Sequence, residues 1–87
     1  MKYAEPRPYA DPEKAARRIL EIANSVDPIQ DGRIHLEKIN GPFLSKEIAS
    51  PAEYGAGMSL CIERGWLIRH ESGTFVRFTP AGADLFA

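Results

Sequence analysis

The side chains able to act as nucleophiles or metal ligands are few and widely spaced in this sequence. Its imidazole and thiol groups are His35, Cys61 and His70, and they do not stand at the short intervals that zinc ligands take. Cys61 also falls on the apolar face of a predicted helix, which is typical of a small buried hydrophobe. The glycines of Gly55-Ala56-Gly57 lie inside that helix, whereas a phosphate loop precedes one. We therefore predict no catalysis, no metal site and no cofactor.

Phosphate binding is a chemistry that other polar residues could perform. Arg69, His70 and Arg77 lie close to a predicted hairpin turn at Ser72-Gly73, as the residues of a phosphate-gripping wing would. They are equally compatible with the solvated surface of an ordinary hairpin. The formal net charge of the chain is −1, whereas dedicated nucleic-acid binders usually carry a basic excess. Any binding of DNA would therefore depend on a local group of cations.

The first element that must position these residues is a helix near the start of the chain. Two prolines and the lack of an apolar period in residues 1–10 predict a flexible arm, with a single domain over residues 11–87. Asp11 can cap the first helix, and Pro12 suits its first position because the missing N–H would be unpaired there anyway. We expect this helix to end near Ser25.

The segment over residues 33–48 allows two interpretations. Its apolar residues fit either a short strand or one face of a helix. Gly41-Pro42 disfavours a continuous helix, because proline has no N–H to donate and disfavours helical geometry in the residue before it. We therefore prefer a strand at about Arg33–Lys38, followed by a short helix from Pro42 to about Ile48.

The next helix has a clear beginning and a clear end. Ser50-Pro51-Ala52-Glu53 is a capping box, in which the Ser50 hydroxyl accepts the N–H of Glu53 and the Glu53 carboxylate accepts the N–H of Ser50. Gly65 supplies the left-handed conformation that ends the helix. Apolar runs on both sides of the hairpin turn then predict two strands. A last short helix after Thr79-Pro80 is expected to bring Leu85 and Phe86 back to the core.

This order of elements resembles the winged helix-turn-helix regulators of the MarR type. In those proteins a helix ends in glycine, an apolar strand and a wing follow, and the next strand ends in Thr-Pro-x-Gly. The corresponding motifs are Glu63-Arg64-Gly65-Trp66-Leu67 and Phe78-Thr79-Pro80-Ala81-Gly82. The resemblance implies a small α+β winged helix with three helices and a two- or three-stranded antiparallel sheet. The chain also looks like short uncharacterised bacterial proteins, a likeness that implies no activity.

The resemblance further implies that the helix over Pro51–Arg64 reads DNA. Tyr54 and Ser59 would then face the groove, and the three basic hairpin residues would bind phosphates. Base reading usually requires Arg, Lys, Asn or Gln, and the first turns of this helix carry none of them. Glu53 is expected to repel phosphate. Any binding of duplex DNA should therefore be weak and directed to its backbone.

A second hypothesis is that the same scaffold binds protein. Each glycine inside a helix costs about 1 kcal/mol relative to alanine, so Gly55 and Gly57 imply a structural reason for their presence. Close packing of another backbone, in this chain or in a second copy, is such a reason. Gly55, Gly57 and Trp66 would then form a contact surface for a protein partner or a homodimer.

The leading prediction is a DNA-binding-type domain of a small transcriptional regulator or nucleoid accessory. The alternative is a non-catalytic protein-interaction module. The sequence has no apolar run long enough to cross a membrane and no signal-peptide core near its start. We therefore expect a cytoplasmic protein of bacterial type that makes no membrane contact.

Overall fold

The computed structural model describes residues 7–29 and 31–87 of the chain. In these residues the three strands form one antiparallel sheet in the order β1-β3-β2. The predicted fold class is confirmed: a small α+β winged helix with three main helices and a three-stranded antiparallel sheet. The elements are a 3-10 helix Pro8–Ala10, α1 Pro12–Ser25, β1 Ile34–His35, α2 Glu37–Ser45, α3 Pro51–Glu63, β2 Leu67–Arg69, β3 Phe75–Phe78 and α4 Pro80–Asp84.

Helix α1 begins and ends where the sequence predicts. The Asp11 carboxylate accepts the backbone N–H of Glu13 at 2.9 Å, and Pro12 occupies the first helical position. One side of the helix lies in the core, because its apolar residues recur at helical spacing. These buried residues are Ala15, Ala16, Ile19, Leu20, Ile22 and Ala23.

Helix α3 is held at its start by the predicted capping box. The Ser50 hydroxyl accepts the N–H of Glu53 at 3.1 Å, and the Glu53 carboxylate accepts the N–H of Ser50 at 2.8 Å. At the other end Gly65 has a φ of 74°, the left-handed geometry expected there. The core lies between the three main helices and one face of the sheet. Its remaining buried apolar residues are Ile34, Ile39, Phe43, Met58, Cys61, Leu67 and Val76.

The predicted bounds over residues 33–48 are wrong. The strand covers only Ile34–His35, in place of Arg33–Lys38. Helix α2 spans Glu37–Ser45 and passes through Gly41-Pro42 without a break.

Burial of two large side chains explains why α2 tolerates its proline. Ile39 and Phe43 are four residues apart, so they share one helix face, and both are fully buried. Such burial stabilises by about 1.5–3 kcal/mol for each side chain. That gain is of the same size as the cost of an interior proline, about 3 kcal/mol. Only one intrahelical hydrogen bond is removed at Pro42.

Residues 7–10 pack against the domain, although the sequence assigns them to a flexible arm. The Tyr9 ring lies 5.0 Å from the ring of Phe43, and its hydroxyl donates to the Glu47 carboxylate at 2.7 Å. Arg7 binds Glu53 and the carbonyl of Ile48. Aromatic burial and paired charges thus fix a segment that has no apolar period. Residues 1–6, the rest of the predicted arm, lie outside the described residues.

The expectation that Leu85 and Phe86 return to the core is also wrong. Their exposed fractions are 53% and 38%. Helix α4 approaches Trp66 so closely that a Cβ added to Gly82 would overlap the Trp66 carbonyl oxygen. Because α4 has only five residues, the two side chains that follow it remain at the surface. The Phe86 ring contacts only the edge of the core, 5.9 Å from the ring of Phe78.

The two glycines of α3 have different environments. A Cβ added to Gly57 would lie 2.8 Å from the Cβ of Ala15 and 3.0 Å from its carbonyl carbon. The predicted close packing is therefore confirmed at Gly57, and the neighbouring backbone is that of α1. A Cβ added to Gly55 would meet nothing within 4 Å, so Gly55 has no packing reason within the described chain.

These environments predict opposite effects for the same substitution. Gly55→Ala should raise the free energy of unfolding by up to about 1 kcal/mol, because alanine favours the helix and has open space. Gly57→Ala should lower it by about 1 kcal/mol or more, because the overlap with Ala15 exceeds the gain in helix propensity. Urea unfolding of the two variants measures both effects. Changes of the same sign would contradict the α1–α3 packing described above.

Candidate nucleic-acid interface

Two of the five predicted DNA-binding residues meet where α3 lies beside β2. Ser59 is exposed on α3, and Arg69 at the end of β2 lies next to it. Both line a shallow depression together with Ile62 and Glu63. This depression contains one guanidinium, one hydroxyl and one carboxylate. Tyr54, five residues before Ser59 on α3, is half-buried and is not among the residues that line it.

The position of Arg69 follows from the register of the sheet. Arg69 pairs with Val76, which is fully buried, so its side chain starts on the inner face of the sheet. It leaves that face at the edge of the core, beside α3. Burial raises the pKa of Tyr54, and the positive charge of Arg69 acts in the opposite direction.

His70 and Arg77, two further predicted DNA-binding residues, start on the other face of the sheet. Arg77 pairs with Ile68, and the N–H of His70 donates to the carbonyl of Phe75 at 2.8 Å. Neighbouring residues of a strand point to opposite faces, so these two side chains lie on the outer face. Arg69, at the end of β2, nevertheless lines one cavity together with them.

Glu53 does not act as the surface acid that the sequence predicts. Its exposed fraction is 9%, and its carboxylate accepts two hydrogen bonds from the Arg7 guanidinium, at 2.6 and 2.8 Å. These bonds, together with the N–H of Ser50, lower the pKa of Glu53 to about 2. The carboxylate of Glu53 thus faces inward, and its negative charge is neutralised by Arg7. The exposed side of α3 between Pro51 and Leu60 carries no other acid.

Sequence reasoning missed Arg7 as part of this region. Its guanidinium spans the turn between α2 and α3, because it also donates to the carbonyl of Ile48 at 3.1 Å. Ile48 has a φ of 55° and is 75% exposed, an uncommon geometry for a β-branched residue. A single arginine among prolines gives no local signal for such a contact. The contact between Arg7 and Glu53 can be recognised only once the structure shows that Glu53 faces inward.

The three residues of the predicted protein-contact surface lie in different places. Gly57 is buried against α1. Gly55 is exposed near the start of α3, whereas Trp66 follows the end of that helix, about 16 Å further along by helical rise. Trp66 instead borders a separate depression with Leu20 and Phe86. The three residues therefore do not share one surface, since the packing of α3 on α1 removes the middle one.

Cys61 has the environment of a packing residue. It is fully buried, its thiol donates to the carbonyl of Ala16 at 3.5 Å, and burial raises its pKa to about 12. Among residues 7–29 and 31–87, no three His, Cys, Asp or Glu side chains are grouped so that they could hold a metal ion. None of the helices in this part of the chain is long and apolar enough to span a membrane.

Comparison of the chain with models of known protein families, with curated proteins and with solved structures finds no match.

The environment of Cys61 predicts slow reaction with a thiol reagent. Because the thiolate is the reactive form, burial and the raised pKa should both protect Cys61 in the native protein. In denaturant the same thiol should react at the rate of an ordinary cysteine. A colorimetric thiol assay at pH 8 with and without denaturant measures both rates. Equal rates would place Cys61 at the surface.

The Arg7–Glu53 pair predicts a pH-dependent contribution to stability. Since the pKa of Glu53 is lower in the folded than in the unfolded chain, this contribution is present above about pH 4.3 and is lost as the pH falls towards 2. Glu53→Gln keeps an amide oxygen for the N–H of Ser50 but removes the charge. The stability advantage of the wild type over Glu53→Gln should therefore shrink between these pH values.

Urea unfolding at several pH values tests this expectation. Arg7→Gln should remove the same pH-dependent difference, because it removes the other half of the pair. Arg17→Gln, which changes an exposed arginine outside the pair, serves as the control. A constant difference between wild type and Glu53→Gln from pH 7 to pH 2 would contradict the pairing.

Proposed function

We propose that this chain is a DNA-binding-type winged-helix domain of a small transcriptional regulator or nucleoid accessory, of MarR-like type, acting in the cytoplasm. It binds duplex DNA weakly and mainly through phosphates. The surface responsible is the outer side of α3 together with Arg69. The observation that carries the proposal is the inward position of Glu53, which leaves the first three turns of α3 without an exposed acid.

The outer side of α3 allows a close approach of the phosphate backbone. Ala52, Gly55 and Ala56 are exposed and small, so they do not hold a strand of DNA away from the helix. The start of the helix carries a partial positive charge from its aligned peptide dipoles, and this end attracts phosphates. The Arg7 guanidinium, 55% exposed, offsets the negative charge of Glu53 at the same end.

Arg69 is the cation best suited to bind a phosphate beside α3. Most arginines in the described part of the chain are already paired with carboxylates, but Arg69 is not. An unpaired, exposed guanidinium can bind a phosphate without first breaking an ion pair. The existing pairs are Arg7–Glu53, Arg18–Glu21, Arg18–Glu47, Arg33–Asp31 and Arg64–Glu13.

The same surface supports little reading of sequence. Ser59 offers one short hydroxyl, and Tyr54 is half-buried with its ring 6.0 Å from that of Phe43. No Arg, Lys, Asn or Gln lies on α3 before its last turn. This part of the helix therefore has no side chain that could make a bidentate contact with a base. We therefore expect affinities near the non-specific range, about 10⁻⁴ to 10⁻⁶ M.

The protein-interaction alternative has one observation in its favour. A cavity of about 250 Å³ lies beside α1. It is lined by the apolar residues Leu20, Trp66, Leu85 and Phe86 and by the charged residues Glu13, Arg17 and Glu21. A partner that fits this cavity would present an apolar side chain.

Titration of labelled duplex DNA at several salt concentrations tests the proposal. Arg69→Gln should weaken binding and reduce the slope of log affinity against log salt by about 0.9, the value for one phosphate contact. Arg17→Gln removes the same charge from α1 and should leave duplex binding unchanged. If the two variants behave alike, or if the wild type does not bind at low salt, the proposal fails. The cavity at Trp66 would then be the better candidate.

A further inference from the structure

The outer face of the sheet carries two rows of side chains that cross all three strands. In the register, Phe75 lies between His35 of β1 and His70 at the end of β2. Two residues along, Arg77 lies opposite Ile68, and Arg33, which precedes β1, continues that row. Side chains two residues apart share a face. We call these six residues the outer array: His35, Phe75 and His70 form its aromatic row, and Arg33, Arg77 and Ile68 its basic row.

The aromatic row is closely packed across the strands. The Phe75 ring lies 5.0 Å from the ring of His35 and 6.0 Å from that of His70, and both pairs are T-shaped, with the rings steeply inclined to each other. All three side chains are partly exposed. The row therefore offers a nearly continuous strip of ring surface to solvent, about 10 Å wide across three strands.

The basic row places cations beside that strip. The Arg33 guanidinium lies 4.8 Å from the centre of the Phe75 ring, and its charge is shared with Asp31 at 2.8 Å. Arg77 is exposed and has no ion pair among the described residues. Its side-chain stem runs along Gly32, where an added Cβ would lie 3.6 Å from Cδ.

A cavity of about 220 Å³ opens over the basic row. The residues that line it are Arg33, Ile68, Arg69, His70, Glu71 and Arg77. Three guanidiniums thus face Glu71 and the carboxylate of Asp31, which is already paired with Arg33. The cavity therefore favours an anionic occupant.

We propose that the outer array is a binding site for single-stranded nucleic acid. Bases stack on the aromatic row and on the Arg33 guanidinium, while Arg77 binds a backbone phosphate. Stacking on aromatic rings beside basic side chains is the general way in which proteins bind single strands. In a duplex the bases are stacked on one another, so their faces are not free to stack on the aromatic row. An apolar protein surface would bury Arg77 without a counter-charge, which is costly.

The aromatic row is separate from the surface proposed for duplex DNA. Arg69 starts on the opposite face of the sheet, beside α3, but at the end of β2 it also lines the cavity over the basic row. Phe75 lies on the outer face, so a Phe75 variant distinguishes the two proposals.

Binding of a short labelled DNA strand of mixed sequence tests the inference, with RNA of the same sequence measured alongside. Phe75→Leu should weaken binding about fivefold or more, the lower end for loss of one base–aromatic contact. Arg77→Gln should weaken it and lower its salt dependence. Ile68→Tyr adds a ring to an exposed position of the array, so it should strengthen binding. This gain cannot arise from a variant that simply fails to fold.

Three comparisons decide the outcome. Phe75→Leu should leave duplex binding unchanged while it weakens single-strand binding. A strand of the same length that lacks its bases should bind at least fivefold more weakly than the intact strand. The inference is overturned if neither the DNA nor the RNA strand binds at low salt, if the abasic strand binds equally well, or if Phe75→Leu weakens duplex binding as much as single-strand binding.

Discussion

The close contact between α1 and α3 is the constraint on which the other features of this domain depend. Gly57 and Ala15 meet without room for a further carbon atom, and the Cys61 thiol reaches the backbone of α1 at Ala16. Interiors are packed as densely as organic crystals, so this contact sets both the distance and the rotation of α3. Helix α3 cannot turn about its axis without losing this contact with α1. The set of α3 residues that face solvent is therefore also fixed.

The rotation of α3 determines the electrostatic character of its exposed side. It directs Glu53 inward, where Arg7 and the N–H of Ser50 satisfy the carboxylate. A buried carboxylate without these partners would be strongly destabilising, so the pairing of residues 7–10 with α3 belongs to the folded domain. The exposed side keeps small residues and a positive helix end, a surface suited to contact with a phosphate backbone.

The register of the sheet divides the hairpin's basic residues between two surfaces. Arg69 shares a face with Val76 and approaches α3, while Arg77 shares the outer face with Phe75. A shift by one residue would exchange the two faces, and the burial of Ile34, Leu67 and Val76 prevents such a shift. One small hairpin therefore offers two cationic surfaces with different neighbours: a helix on one side and a row of aromatic rings on the other.

The sequence by itself determined the features that depend on neighbouring residues. The caps at Asp11 and Ser50, the left-handed end at Gly65 and the hairpin turn at Ser72-Gly73 follow from local hydrogen bonding and backbone geometry, and with them the α+β class. Only the tertiary structure decided where α2 begins, that Arg7 binds Glu53, that Gly57 is buried while Gly55 is open, and that Leu85 and Phe86 stay exposed. These depend on contacts between residues far apart in the chain, whose packing energies outweigh local preferences such as that of Pro42 against a helix.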